Sequence, residues 1–562
     1  MLKATKILLM GVTAALIGAF AIPALAQDTA PGEGGVLIEG NFGGDVASLN
    51  PLTSNDTASQ RIISFIYPGL IGVDVTTATL SEDDPTALVT DWEVSEDGLT
   101  YTFTMRTDWT WTDGTAITSA DVLYFWNAMI DPAVESAGAY LTEYIESVEA
   151  PTPDSYVVTF KEFTCQNLAF AANIGVVPSH VLPPSAELLN AEFNLNPTVT
   201  GGVFNFAELR AGEQVSLTAN QSFGGAPDGV IPTSFIYKNV ADQNIMVEQF
   251  LAGETNVIDG PAVSRRADIA NAGDAVQIYE FPGNAWDYFA MNFADPTNPQ
   301  PAVDEAGAAI DQGLHPIFGD SAVRQAVSKA VNVEDMIAAA VFGQGIRMNA
   351  FSVQASWAYP ADLPLIEQDV EGAAALLEGA GWVDSDNDGV REKDGNPLKF
   401  TLYTNQGNSR REAIGAIFES QLEEVGFDVD YQAIEFNTIL EYLDAQNFDA
   451  LILGWRNGYP DDPDQTSLFT TTGDTIGGQN FTSYNNEEVN TLMNDALLVP
   501  GCANEDRAAI YAQIQGILQA DLPYIPLFTV NGYYAAAAGI EGFGPYPSQL
   551  YWNVDTWAAA TP

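Results

Sequence analysis

Between residues 398 and 453 the spacing of apolar positions changes period repeatedly. Leu398, Phe400 and Leu402 alternate with polar neighbours, the period of a strand. Ile414, Ile417, Phe418, Leu422 and Val425 then recur at helical spacing. Ser409 with Glu412 opens that helix, and Gly426 ends it. A strand over Phe427–Ala433, a helix over Thr438–Ala445 and an apolar run over Phe448–Leu453 follow. Strand, helix, strand, helix, strand predicts an α/β lobe with right-handed crossovers. Upstream, Ser321–Val331 and Val333–Phe342 read as helices, the second capped by Asn332 with Asp335 behind it.

The first half is patterned differently. Leu99, Tyr101, Phe103 and Met105 alternate with Thr100, Thr102, Thr104 and Arg106, and Tyr156, Val158 and Phe160 alternate again. Thr118 and Asp121 have capping-box spacing before a helix over Ser119–Met129. Residues 76–194 therefore read as a compact α+β insertion. Val36–Phe42 predicts a first strand and Ser59–Tyr67 a short helix. After Gly201-Gly202 come short strands, Val215–Ala219 and Ser234–Tyr237, a helix at Met246–Ala252 and a strand at Tyr288–Phe293. Asp295–Gly319, rich in Pro, Gly and Asp, has no period and reads as a surface loop.

Lys3 and Lys6 precede an apolar run from Ile7 to Ala26 that ends in Ala24-Leu25-Ala26, the layout of a signal peptide cleaved before Gln27. An uncleaved anchor is the alternative for a run of that length. With 562 residues the chain has room for about three or four domain-sized units. Its 75 acidic residues against 19 basic ones, a formal charge of −56, exclude a nucleic-acid partner, because no basic surface can neutralise phosphates. The two cysteines, Cys165 and Cys502, are expected to pair in an oxidising compartment; two separate thiols are the other possibility.

Catalytic motifs are missing. The chain has no Gly-x-Ser-x-Gly elbow, no His-Glu-x-x-His, no phosphate loop and no dinucleotide fingerprint, and neither His180 nor His315 has a partner at metal or triad spacing. A secreted hydrolase acting on glycans through two carboxylates stays open, since such a pair is set by space. Asp384, Asp386, Asp388, Val390 and Glu392 match positions one, three, five, seven and nine of a calcium loop, although Gly395 stands where the bidentate Glu belongs. A structural calcium ion is expected there, with a self-capped Asp-rich turn as the alternative; no cofactor is required. The loop after Leu453 carries the ligand chemistry. Trp455 offers a stacking face, while Asn457, Asp461 and Asp462 offer directional acceptors on a stretch stiffened by Pro460 and Pro463. Trp286 and Trp357 are candidate apolar walls.

Four stretches resemble the family 5 extracellular solute-binding proteins of dipeptide- and oligopeptide-binding type. They are LTYTFTMRTDWTWTDGTAITSADV; VRQAVSKAVNVEDMI with VFGQG; AALLEGAGWVDSDNDGVREKDGNPLKFTLYTNQGN; and SYNNEEV with DLPYIPLF. The resemblance implies a hinged two-lobe α/β clamshell with an extra α+β subdomain, a monomer that hands its ligand to the permease of an ABC importer and does no chemistry. Lobe one would take 27–75, 196–293 and 530–562, the subdomain 76–195 and lobe two 294–529, with Met291–Phe293 and Ile525–Phe528 as hinge strands. Peptide-binding relatives carry an acid three positions after the Trp of the Gly-Trp motif; here that position is Gly458. The resemblance thus leaves a peptide receptor, with Asp461 or Asp462 substituting, and an oligosaccharide receptor of the same fold.

Overall fold

Two large sheets organise the chain in a computed structural model that describes residues 29–559 except 43–44, 55, 241, 304–307, 459–460, 476–477 and 548. The expected signal peptide, residues 1–26, lies outside the described residues. The first sheet has seven strands in the spatial order 276–281, 532–537, 257–259, 36–41, 234–239, 214–219 and 204–210. Val36–Asn41 sits inside it, parallel to both Ser234–Asn239 and Val257–Asp259. The helix Thr57–Ile66, capped by Asp56 through the Ser59 amide, lays Ile62, Ile63, Phe65 and Ile66 into the core.

The α+β insertion forms a four-stranded sheet, in the order 89–94, 100–105, 155–160 and 145–152, carrying the helix Ser119–Met129. Its Thr118 and Asp121 make the reciprocal capping box read from the sequence. A single apolar core runs from Leu37 and Phe235 of the large sheet into Phe103, Tyr156 and Phe160 of the insertion. Continuous burial of this kind makes the two units one body.

The second large sheet has six strands in the order 345–347, 524–530, 285–291, 450–456, 399–405 and 428–434. Lys399–Asn405 is parallel to both Asp428–Ile434 and Ala450–Arg456, with the helices Ser409–Glu423 and Phe436–Asp444 in the crossovers. Phe289, Phe400, Phe418 and Ile452 pack one face of the sheet, and Tyr288, Leu453, Tyr511 and Tyr524 the other.

Two expectations change. The strand Ala285–Met291 lies between Ala450–Arg456 and Tyr524–Val530, antiparallel to both, so it belongs to the second sheet and not to lobe one. Lobe one therefore gives way near residue 284 rather than 293. Met291–Phe293 and Ile525–Phe528 are then interior to lobe two and cannot be the hinge. Alternation could not assign the strand to a sheet, because every residue of WDYFAM is buried, the pattern of a strand covered on both faces. The chain crosses between bodies near 282–284 and 530–532 instead. There the segments touch so closely that a Cβ on Gly283 would lie 2.0 Å from the Val530 carbonyl oxygen.

Cys165 and Cys502 form a disulfide with Cα atoms 5.3 Å apart. It ties the insertion to the segment before the helix Asn504–Asp521 of lobe two. Among the described residues no helix is long and apolar enough to cross a membrane.

Candidate functional site

Where the strands 399–405 and 450–456 end, lobe two presents an arginine cluster. The Asp287 carboxylate is buried there. It accepts from Arg410 Nε at 2.6 Å and Nη2 at 3.2 Å, and from Arg411 Nε at 3.1 Å. Arg411 Nη1 also donates to Asn405 Oδ1 at 3.0 Å. Both arginines occupy the first turn of the helix Ser409–Glu423, whose cap is Asn408. A positive N-terminus disfavours cations, so local helix preference does not account for the pair. Two guanidinium groups around one carboxylate leave a surplus positive charge. Gly454 makes the cluster possible: a Cβ there would meet Trp286 O at 2.7 Å, Arg411 Nη2 at 2.8 Å and Asp287 Oδ1 at 3.0 Å.

Lobe one opposes this with carboxylates. Glu39, on the strand Val36–Asn41, is fully buried, and Arg61 Nη1 stands 3.6 Å from its Oε1. Arg61 Nη2 donates to Asp259 Oδ2 at 2.8 Å, and its guanidinium lies over the Tyr551 ring, 5.0 Å from the centroid. Burial raises the Glu39 pKa, with Arg61 pulling it partly back. Burial works against the Arg61 charge, but Glu39 and Asp259 outweigh it and hold the guanidinium firmly protonated. Tyr534, the cross-strand partner of Asp259, is pushed up chiefly by burial, and Arg456 of lobe two is among the charges acting on it. The charge of Arg456 thus reaches Tyr534 on the lobe-one side of the crossing strands. Arg456 Nη1 reaches Asn284 Oδ1 at 3.3 Å in the crossing segment itself.

The residues expected to bind ligand are distributed unevenly. Residues 454–456 continue the strand instead of turning away, so Trp455 pairs with Trp286 in the sheet. Trp455 is half-buried, stacked on Tyr288 and Phe481, and its indole N–H is buried beside the Tyr524 hydroxyl. Trp286 is only 3% exposed and is a core residue, not a cleft wall. Trp357 donates its indole N–H to the Asp461 carbonyl at 3.2 Å and lies under the Arg507 guanidinium, which makes it an anchor for the loop. The Asn457 amide donates to the Asn284 carbonyl at 2.9 Å, and Asn284 Nδ2 donates back to the Asn457 carbonyl at 3.0 Å, which clamps the crossing. Asp461 accepts from Ser356 Oγ at 2.5 Å. Asp462 accepts from Gln166 Nε2 at 2.8 Å and lies 3.6 Å from Arg507. Both carboxylates face lobe two's own loops and the insertion, so the idea that either replaces the missing acid at Gly458 is not carried by this geometry. Burial raises Asp461, and it pushes Asp464 up to about 6.

Sequence reasoning missed Arg410, Arg411, Asp287, Glu39, Arg61 and Asp259. Two signals were available: paired arginines in a helix's first turn within a chain so poor in cations, and a glutamate at an interior strand position. Their convergence from distant segments was not visible.

The Asp384, Asp386 and Asp388 carboxylates converge within 4.8 Å of one another on an exposed loop. Hard oxygen donors in that arrangement suit calcium. The loop is also held from within: the Gly389 amide donates to Asp384, the Asp388 amide to Asp386 and the Val390 amide to Asp388. Glu392 Oε1 accepts from the Ser385 amide and hydroxyl, which takes one expected ligand oxygen into the turn itself.

Residues 86–476 match the family described as bacterial extracellular solute-binding proteins, family 5. The oligopeptide-binding protein AppA of Bacillus subtilis is 28% identical over 537 residues, 94% of this chain and 92% of that protein. The glutathione-binding protein GsiB of Escherichia coli is 23% identical, covering 90% of this chain and 91% of its own. The structure of Bacillus subtilis AppA in complex with a nonapeptide superposes with a TM-score of 0.71 at 26% identity, over 95% of this chain and all of that one. The substrate-binding protein CtaP of Listeria monocytogenes superposes at 0.76 with 22% identity, over 94% of this chain, and speaks for the fold alone.

Proposed function

The chain belongs to the bacterial extracellular solute-binding proteins of family 5, and from that premise we propose that it captures peptides for an ABC importer by closing its lobes, then presents them to the membrane permease. The observation that supports the peptide reading is that the two lobes carry clusters of opposite surplus charge, with Arg456 of lobe two acting on Tyr534 of lobe one. Arg410, Arg411 and Arg456 stand on lobe two; Glu39 and Asp259 stand on lobe one. A zwitterionic, extended ligand matches two walls of opposite sign, whereas a neutral glycan would leave both sets of charges without a ligand partner in a closed cleft. The similarity to a protein crystallised with a nonapeptide supports the same reading.

An oligosaccharide receptor needs aromatic platforms. With Trp286 in the core and Trp357 anchoring a loop, Trp455 alone of the three remains for stacking. The receptor is further proposed to be exported, to act as a monomer and to perform no chemistry. Its binding energy goes into shifting the open–closed balance.

Titration calorimetry with a synthetic pool of random di- to pentapeptides, paired with small-angle scattering, tests this. Saturable binding with a fall in radius of gyration is expected. Binding to α- or β-linked glycans with no response to peptides would replace the peptide reading by the sugar one.

A further inference from the structure

The family's usual acid is absent at Gly458, and the three aspartates downstream are all engaged elsewhere. Asp461 holds Ser356, Asp462 holds Gln166, and Asp464 accepts from the Thr466 hydroxyl at 2.6 Å. The lobe-two wall is also cationic, with Arg410 and Arg411 sharing the single carboxylate of Asp287. A ligand ammonium has no natural partner on that side.

We propose that this receptor takes the ligand's ammonium group on lobe one, at Asp259 with Glu39 behind it, and so binds its peptide with the amino end on lobe one and the carboxylate toward the lobe-two arginines. The inference rests on the peptide reading above and specifies which lobe discriminates the amino end.

Three observations carry it. Two carboxylates, Glu39 and Asp259, share one guanidinium, that of Arg61, the mirror image of the two-arginine, one-carboxylate cluster on lobe two. Glu39 Oε1 accepts a long hydrogen bond from Asn41 Nδ2 at 3.3 Å, while Oε2 is buried with only the Tyr551 hydroxyl beside it, too poorly placed for a normal hydrogen bond. A fully buried carboxylate so weakly supplied with donors is costly, and a ligand ammonium held at Asp259 in front of it adds a compensating positive charge. Third, Asp259 is the last residue of its strand, opposite Tyr534 and just past the crossing at 530–532, and its side chain is 25% exposed. Its Oδ2 is held by Arg61, while among the described residues Oδ1 accepts no hydrogen bond. In sheets of this kind the carboxyl ends of parallel strands are where ligands collect. Val257–Asp259 and Val36–Asn41 are parallel and end together.

The test compares a synthetic random pentapeptide pool bearing free termini with the same pool N-acetylated, titrated into the full-length protein and into the Asp259→Asn and Glu39→Gln variants. In the unmodified protein, acetylation should weaken binding tenfold or more. In Asp259→Asn, free peptides should weaken about tenfold while acetylated ones stay within twofold, so that the discrimination collapses; Glu39→Gln should narrow it in the same direction. Full discrimination surviving in both variants overturns the inference and leaves the peptide reading standing. Equal weakening of free and acetylated peptides also overturns it, since that marks a merely structural triad. No response to either pool in the unmodified protein removes the peptide reading and this inference together. Melting curves of each variant verify that the population titrated is folded.

Discussion

Two aspartate-rich loops, DSDND at 384–388 and DDPD at 461–464, look alike as sequence and have opposite fates. The first is exposed, and its carboxylates accept from amides two to five residues away. The second is half-buried, and its carboxylates reach Ser356 and Gln166, which lie 105 and 296 residues away in the chain. The difference comes from what flanks them. Asn387 adopts a left-handed φ of 62° and lets the first loop curl back on itself. The second is capped only in part by its own chain, the Asp464 amide donating to Asp462 and Thr466 to Asp464, and Pro463 keeps it extended enough for Asp461 and Asp462 to find further partners on distant segments. Acidity alone therefore says little about a loop; whether it can satisfy itself decides whether it solvates or docks.

The largest effect should come from cutting the support of the docked loop. Gln166, which holds Asp462, follows Cys165 directly in the chain, and Cys165 is bonded to Cys502. A bridge spanning 337 residues constrains the unfolded chain strongly. Its loss should cost about 2–5 kcal/mol. Calorimetry of the Cys165→Ser, Cys502→Ser double variant is expected to show a markedly lower melting temperature. An unchanged melt, or free thiols trapped by alkylation in the native protein, would break the link between bridge and loop.

The next effect separates the loops by pH. Burial pushes Asp464 up to about 6, against about 3.9 in an unfolded chain. Between those values the folded state keeps a proton at Asp464 that the unfolded state has released, so this group's contribution to stability falls as pH rises from about 4 to 6 and is flat beyond. The two-unit gap sets a ceiling of about 3 kcal/mol on that loss. Asp461, raised by the same burial, adds to it with the same sign. Asp464→Asn should flatten the decline measured by chemical denaturation at pH 4, 5, 6 and 7. The Asn keeps an oxygen for the Thr466 amide and hydroxyl, so the helix start survives. The readout is the difference between the two proteins, because carboxylates held low by hydrogen bonds, such as Asp113 and Asp369, contribute with the opposite sign in both. A pH profile that Asp464→Asn leaves unaltered would show that the loop is not buried as described.

The same contrast explains what was legible beforehand. Elements with a clear period were read closely: Ser119–Met129, its capping box, and the alternation of strands and helices from 399 to 456 all stand. Each is a local property of spacing and caps. The strand Ala285–Met291 was visible as an element, yet its sheet was not, because a strand buried on both faces carries no sidedness. The cleft was least legible. Trp455, Asn457 and Asp461 lie close together in the chain, although Trp455 stays in the strand, Asn457 clamps the crossing and Asp461 serves its own lobe. Asp287, Arg410, Arg411, Glu39, Arg61 and Asp259 come from separate segments, and only tertiary structure sets them as two walls of opposite sign.

The smallest effect concerns the exposed loop and is the most direct check on its self-sufficiency. Three carboxylates within 4.8 Å repel one another, and a divalent cation would relieve that repulsion. The loop's own amides already occupy one oxygen of each, and no bidentate ligand stands at Gly395. An affinity in the weak, roughly millimolar range of extracellular calcium modules follows. Calcium at about ten times that level should then raise the melting temperature by only about 1–2 °C in a chain of this size. Magnesium should do less, because it holds its water shell more tightly than an irregular set of carboxylates can replace. Asp386→Ala should erase the calcium response without altering the pH dependence that Asp464 controls, since the two loops share no partner. A melting curve indifferent to both calcium and a chelator would leave the turn held by its own amides alone.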